Sequence, residues 1–407
     1  MLSDIKIDTK SILNCALSVE WKSEHVTHKD VRVFEKFNVW RDIDLMPAQM
    51  QKDLIGKGIG YKNQYAFKNA DLVQPWHKSQ LHRIPAGQFS THLKHGYTIE
   101  PHVGRFYPKG LVGGVVDNYS ENMHPCRLVA MDAECMNFDF NHPMSFYDMN
   151  IGVEVYGVTP NMGEHGGRCS DAIAELLNGP GMQARYPQVV TDFFNVAAFR
   201  RVDDAADGLF YALPRMVEHL DEYALEQVAN LYGELVPENS KVLDLMASCN
   251  SHLPDHLKSC EVTGVGLNQQ ELESNTVLNE RIIHDLNDDI RLPFEDESFD
   301  VVICTVSVEY LIKPFEIFNE VSRVLKPGGK FINVFSNRWF PPKAIAIWNE
   351  LHDFERIGLV TEYYLQSKQF TDINTYSFRG LSRPIDDVHI MQTPDSDPIY
   401  AVWGTKQ

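Results

Sequence analysis

Residues 292–311 read LPFEDESFDVVICTVSVEYL, and KPFEIFNEVSRVLKPGGKFINVFS follows at 313–336. FDVVICTV (299–306) is a short, β-branched apolar run, the composition required of a strand buried on both faces. PFEIFNEVSRVL (314–325) sets Phe315, Ile317, Phe318, Val321, Val324 and Leu325 at helical spacing. Lys326-Pro327-Gly328-Gly329 then stops the helix and turns the chain into a second strand, KFINVFS (330–336). A strand, a helix and a strand in that order predict a parallel sheet covered on both faces.

Upstream, VLDL (242–245), VTGVGL (262–267) and RIIHDL (281–286) extend the alternation. Downstream, INTYSFRG (373–380) and DPIYAVWGT (397–405) are expected to close the sheet as an antiparallel pair. Ligands of open sheets sit at the carboxyl ends of the strands, near the point where strand order reverses. VLDLMASCNSHLP (242–254) lies there, yet it contains no glycine.

Bulk properties exclude several classes. A chain of 407 residues predicts two or three domains, and 43% hydrophobic residues suffice for packed cores. The formal charge of −19 repels a phosphate backbone, so no nucleic-acid partner is expected. No apolar run approaches a membrane span, and MLSDIKIDTK has no signal-peptide core, so no membrane partner is expected either. Cysteines 15, 126, 135, 169, 249, 260 and 304 form no CxxC pair. That pattern predicts reduced thiols and a cytoplasmic location, without a zinc site.

The run 292–311, with EVSRVLKPGGKF (320–331) after it and VLDL before it, resembles the class I S-adenosylmethionine-dependent methyltransferases over about residues 215–407. The resemblance implies a Rossmann-like α/β methyltransferase domain with S-adenosylmethionine as cofactor. It places Asp244, Ala247 and Ser248 at the cofactor's amino-acid end, where the family usually has Gly-x-Gly. It places Gly266 where the ribose-binding acid usually stands, with Asn268 just beyond it to meet the ribose hydroxyls. Asp285 and Leu286 fall at the adenine, and Thr305 at the end of the fourth strand. Methyl transfer needs alignment first and a base only for a tightly held proton; His252, Glu309 and Tyr310 are the catalytic candidates. The loop 246–254 together with NRWFPPKA (337–344) also resembles a bacterial group of methyltransferases with the same glycine-free turn.

Residues 25–160 read as a β-rich α+β domain. CRLVAMDAECMNFDFNHPMSFYDMNIGVEVYGV (126–158) gives a strand, a turn, a strand, a loop with Asn141-His142-Pro143 and a closing strand. With LMPAQMQKDLIGKGIGYKNQYAF (45–67), this resembles the FKBP-type peptidyl-prolyl isomerases of the SlyD kind. The resemblance implies rotation of an X–Pro bond and a proline-containing peptide as partner. Met144-Ser145-Phe146 and Ile151 depart from that family's pattern. Histidines 77, 82, 92, 95 and 102, and the pair His165 and Cys169, are too irregularly spaced to predict a metal site.

The expected organisation is an N-terminal segment (1–24), the FKBP-like domain (25–160), a connector (161–214) and the methyltransferase domain (215–407). Phe193, Phe194, Phe210 and Tyr211 mark the connector as packed, either pinning a linker or covering the methyltransferase pocket. VEHLDEYALEQVANLYGELV (217–236) predicts a helix leading into Val242. The first functional expectation is methyl transfer to a small-molecule acceptor. The alternative is a prolyl isomerase or chaperone-like binding protein whose methyltransferase fold is regulatory or inert. Oligomeric state is not legible.

Overall fold

The computed structural model describes residues 5–37, 46–91, 99–160, 171–179 and 182–407. It divides into two compact units, Met1–Asp192 with Tyr376–Leu381 and Phe193–Thr375 with Ser382–Gln407. The boundary falls inside residues 161–214. No helix among the described residues is long and apolar enough to cross a membrane.

The first unit contains β1 (Ser11–Lys22), β2 (Val26–Phe37), β3 (Lys62–Phe67), β4 (Leu81–Pro85), β5 (Phe106–Pro108), β6 (Pro125–Met131), β7 (Cys135–Asp139) and β8 (Met149–Pro160). One sheet runs β2-β1-β8-β3 with antiparallel pairing, and a second runs β4-β7-β6-β5. Ser11–Lys22, expected within an N-terminal segment, forms a strand of this sheet. β1 lies between β2 and β8, and its alternate residues Leu13, Cys15, Leu17, Val19 and Trp21 are buried in the core. Strands β6, β7 and β8 occupy the run expected at 126–158, with Pro143–Phe146 as a single 3-10 turn.

The second unit contains β9 (Lys241–Leu245), β10 (Glu261–Gly266), β11 (Glu280–Ile283), β12 (Phe299–Thr305), β13 (Leu325–Phe335), β14 (Phe370–Arg379) and β15 (Ile399–Lys406). Their order is β11-β10-β9-β12-β13-β15-β14. Pairing is parallel from β11 through to β13, and β15 is antiparallel to β13. The end of β14 and the two residues after it, together Tyr376–Leu381, belong with the first unit, where Tyr376, Phe378 and Leu381 pack on Ala16, Val31 and Val33.

The helix Pro314–Val324 turns Ile317, Phe318, Val321 and Val324 into the core, and Gly328 takes the left-handed conformation (φ 78°) at the stop. The helix expected over 217–236 begins later, at Glu222. The Asp221 side chain accepts the Ala224 N–H and so fixes its start. No α-helix follows the 242–254 stretch; Asp255–Leu257 is one 3-10 turn. Strand order reverses between β9 and β12, which puts the switch point at the carboxyl end of β9.

Gly266 ends β10 directly against the loop after β9: a Cβ there would lie 2.3 Å from the Ala247 carbonyl oxygen. Gly266→Ala is expected to destabilise the chain by about 2 kcal/mol through overpacking. Gly208→Ala, with nothing within 4 Å of its Cβ, is the control, expected within about 0.5 kcal/mol of wild type. Urea titration checks both.

Candidate active site

The loop after β9 turns without glycine because Met246 itself takes the left-handed conformation (φ 59°). That conformation costs a non-glycine residue roughly 1–2 kcal/mol. The bond from Ala247 N–H to the Val265 carbonyl oxygen (2.7 Å) holds the loop on β10. His252, also left-handed (φ 55°), donates its N–H to Asn250 Oδ1 at 2.8 Å. At the end of β12, Val306 adopts φ 42°, an outlier for a β-branched residue, and its N–H is held by the Val334 carbonyl oxygen at 2.7 Å.

These three turns open on one cavity. Of the predicted residues, Asp244, Ala247, Ser248, His252, Asn268, Asp285, Leu286, Thr305 and Tyr310 line it. Glu309 does not: it is 1% exposed and lies off the cavity wall. Burial raises its carboxyl to about 8, against the partial pull of its own backbone N–H and Arg356, and Oε2 has no hydrogen-bond partner. A catalytic role for Glu309 is therefore corrected to a buried position behind the site.

Asn268 is also corrected. Its Oδ1 accepts the N–H groups of Gln270 and Glu271, capping the helix Gln269–Ser274, while Nδ2 donates to the Tyr211 carbonyl oxygen at 2.8 Å. With both ends of the amide engaged, the side chain offers no free donor or acceptor to a ribose.

The other groups divide by chemistry. Burial raises the Asp244 carboxyl to about 7 although the Ser251 hydroxyl opposes it, and its Oδ2 is buried without a partner. Such an orphaned oxygen fits a hydroxyl or ammonium donor on a bound molecule. Ser248 donates its hydroxyl to Glu271 Oε2, and the Arg215 backbone N–H donates to Glu271 Oε1, both at 2.7 Å. Asp285 Oδ1 accepts the Asn287 N–H at 2.9 Å. Thr305 Oγ1 and the Tyr232 hydroxyl are 2.6 Å apart. Tyr310 accepts the Phe340 N–H at 2.8 Å, and burial holds its hydroxyl well above the usual phenol range. Burial lowers His252 below 6.5, with Glu218 raising it and His219 lowering it, so the imidazole is neutral at pH 7.

Residues 207–220 form the remaining wall. Asp207 accepts from Arg201 at 2.7 and 2.9 Å and from Asn287 at 2.8 Å, and lies 3.2 Å from the fully buried Lys343 ammonium. Lys343 also donates to the carbonyl oxygens of Asp203 and Ala205. Phe210 meets Tyr211 and Phe340, Arg215 lies over all three rings, and Phe194 packs on Phe199, Phe315 and Tyr363. Asp207, Arg215, His219, Glu271 and Phe340 escape sequence reasoning, since no fixed spacing ties them to the strand motifs.

A family model for a methyltransferase domain matches residues 246–333. The chain carries a class I methyltransferase domain. Its cofactor is S-adenosylmethionine, and on the cavity wall the unpartnered Asp244 Oδ2 suits a donor on such a molecule. The sterol 4-C-methyltransferase of Caenorhabditis elegans is 28% identical over 155 residues, 36% of this chain and 46% of that protein. The malonyl-[acyl-carrier protein] O-methyltransferase of Marinomonas sp. is 27% identical over 89 residues, 21% of this chain and 33% of that protein. The 27-O-demethylrifamycin SV methyltransferase of Amycolatopsis mediterranei is 28% identical over 75 residues, 17% of this chain and 28% of that protein. The chain thus spans less than half the length of each relative.

In the first unit, the polar atoms of Asn141-His142-Pro143 are engaged locally. Asn141 accepts the His77 N–H and donates to the His77 carbonyl oxygen and to Asp139, while His142 Nδ1 accepts the Met144 N–H. Burial lowers His142 to about 4. His82 stacks edge-on against Phe140, and His102 pairs with Asp192 at 3.0 Å. Among the described residues no group of three or more His, Cys, Asp or Glu could hold a metal. His92, His95, His165 and Cys169 lie outside the described residues.

Glu309 gives a pH test of this arrangement. Its carboxyl is raised in the folded state, so its favourable contribution is complete below about pH 4.5 and is lost as pH rises to about 8. Glu309→Gln removes that loss. The variant's stability relative to wild type is expected to grow by about 4 kcal/mol between about pH 5 and about pH 9 in denaturant melts. A pH-independent difference overturns the buried placement.

Proposed function

We propose that the second unit transfers the methyl group of S-adenosylmethionine to a small-molecule acceptor. The observation that carries this reading is the convergence of the carboxyl ends of β9, β10 and β12 with the 207–220 wall on one cavity. A wall of that kind favours an enclosed small molecule over a protein surface. Two of the relatives are named for a sterol and for 27-O-demethylrifamycin SV, which supports the same acceptor class.

The bound sulfonium supplies the activated methyl group, leaving the protein to hold the reactants in line. Asp244 and Ser248 would hold the amino-acid end of the cofactor and Asp285 and Leu286 its adenine, with Thr305 on the same wall. On the acceptor side, His252 is neutral and takes the proton when the nucleophile is a hydroxyl. Tyr310, its oxygen fixed by the Phe340 N–H, positions the acceptor.

Titration calorimetry with S-adenosylhomocysteine tests the reading. Micromolar binding is expected, and Asp285→Ala is expected to weaken it at least about tenfold. Absence of heat up to millimolar ligand overturns the function; wild-type affinity in the variant overturns only the placement of the adenine.

The alternative concerns the first unit, an FKBP-like fold that binds or isomerises a proline-containing peptide. It is supported by the order of β6, β7, the Pro143–Phe146 turn and β8, and by a cleft lined by Met46, Phe67, Leu72, Trp76, Phe140 and Pro143. A proline-peptide isomerisation assay is expected to show acceleration over buffer; a rate equal to buffer removes the enzymatic form.

A further inference from the structure

Arg215 is the only lysine or arginine lining the cavity among the described residues. Its guanidinium carbon lies 4.5 Å from the ring centre of Phe210 and 5.2 Å from those of Tyr211 and Phe340. Its backbone N–H is held by Glu271 and one terminal nitrogen, Nη2, by the Phe210 carbonyl oxygen at 3.1 Å. The other, Nη1, is buried with no hydrogen-bond partner, and among the described residues no carboxylate forms an ion pair with this side chain.

The neighbouring acids are already engaged. Asp207 is paired with Arg201 and Lys343, Glu271 takes the Ser248 hydroxyl and the Arg215 N–H, and Glu218 accepts from Asn250. A delocalised cation fixed among three rings, with half of its fork unsatisfied, is suited to a planar carboxylate. The glycine-free turn adds a reason: Ala247 N–H is tied to Val265, which removes one backbone donor from the cofactor's amino-acid end.

We infer that Arg215 is the carboxylate-binding residue of this cavity. The inference rests on the cofactor reading above. Two carboxylates qualify, that of the cofactor's amino-acid end and that of an acceptor whose flat or apolar body lies against the cavity-lining Tyr211 and Phe340.

The experiment titrates the full chain, as wild type, Arg215→Met and Arg215→Lys, with S-adenosylhomocysteine and with 5′-methylthioadenosine, which has the adenosine but no carboxylate. Benzoate is then titrated into protein saturated with S-adenosylhomocysteine. If the cofactor's carboxylate is bound, Arg215→Met weakens S-adenosylhomocysteine at least about tenfold and leaves 5′-methylthioadenosine unchanged. If the acceptor's is bound, both nucleosides are unchanged and the variant loses the benzoate binding that wild type shows. Arg215→Lys, which keeps the charge without the fork, retains part of the affinity in either case. Equal loss of both nucleosides marks a packing role and overturns the inference. So does wild-type affinity for S-adenosylhomocysteine without Arg215-dependent benzoate binding. Failure of wild type to bind either nucleoside overturns the cofactor reading itself, and this inference with it.

Discussion

The close approach of the β9 loop to the end of β10 governs the rest of the site. Ala247 must bring its N–H within 2.7 Å of Val265 and its carbonyl oxygen against Gly266, where a Cβ would meet it at 2.3 Å. Loops of this kind ordinarily place the glycine in the turn, so that the turn bends freely. Here the space is made by glycine on the facing strand, and the left-handed step is taken by Met246. The loop is consequently fixed by its neighbour, and Ser248 is set where its hydroxyl reaches Glu271.

From that point the wall over the cavity follows by hydrogen bonding. Glu271 joins Ser248 to the backbone of Arg215, and Asn268 joins the helix start to the carbonyl of Tyr211. On the far side, Lys343 and Arg201 bracket Asp207. Although burial alone would raise the Asp207 carboxyl, these cations and Asn287 bring it below the usual carboxylate range. An almost buried acid with two cations is tolerable only because each charge is paired. Removing Asp207 would take this buried carboxylate from both Arg201 and Lys343, so the cluster ties residues 201–207 to Lys343 as a fixed part of the wall.

The sheet was legible because its strands carry their own signal. FDVVICTV and VLDL are mostly apolar, with Asp300, Asp244 and Thr305 the exceptions, and Lys326-Pro327-Gly328-Gly329 permits little except a helix stop. SILNCALSVEWK carries the alternation of a strand, but nothing local shows that it pairs with β8, more than a hundred residues away, and so enters the core. Within the site, residues attached to strand ends were found, while Arg215, His219 and Phe340 were not. Their placement depends on a wall assembled by buried charges, which no local spacing encodes.

Glu309 and Asn268 show why residue type at the right position is an incomplete argument. Both stand where a strand ends beside the cavity, and both carry suitable groups. Asn268 has its amide oxygen committed to a helix start and its nitrogen to a carbonyl, so the fold has already used what a ligand would need. Glu309 is turned into the protein, where desolvation keeps it protonated near neutral pH. Asp244 is equally desolvated, but it lines the cavity and retains an oxygen with no donor. Burial perturbs both carboxyls in the same direction; what distinguishes a binding group from a structural one is whether the unsatisfied atom belongs to a residue the ligand can reach.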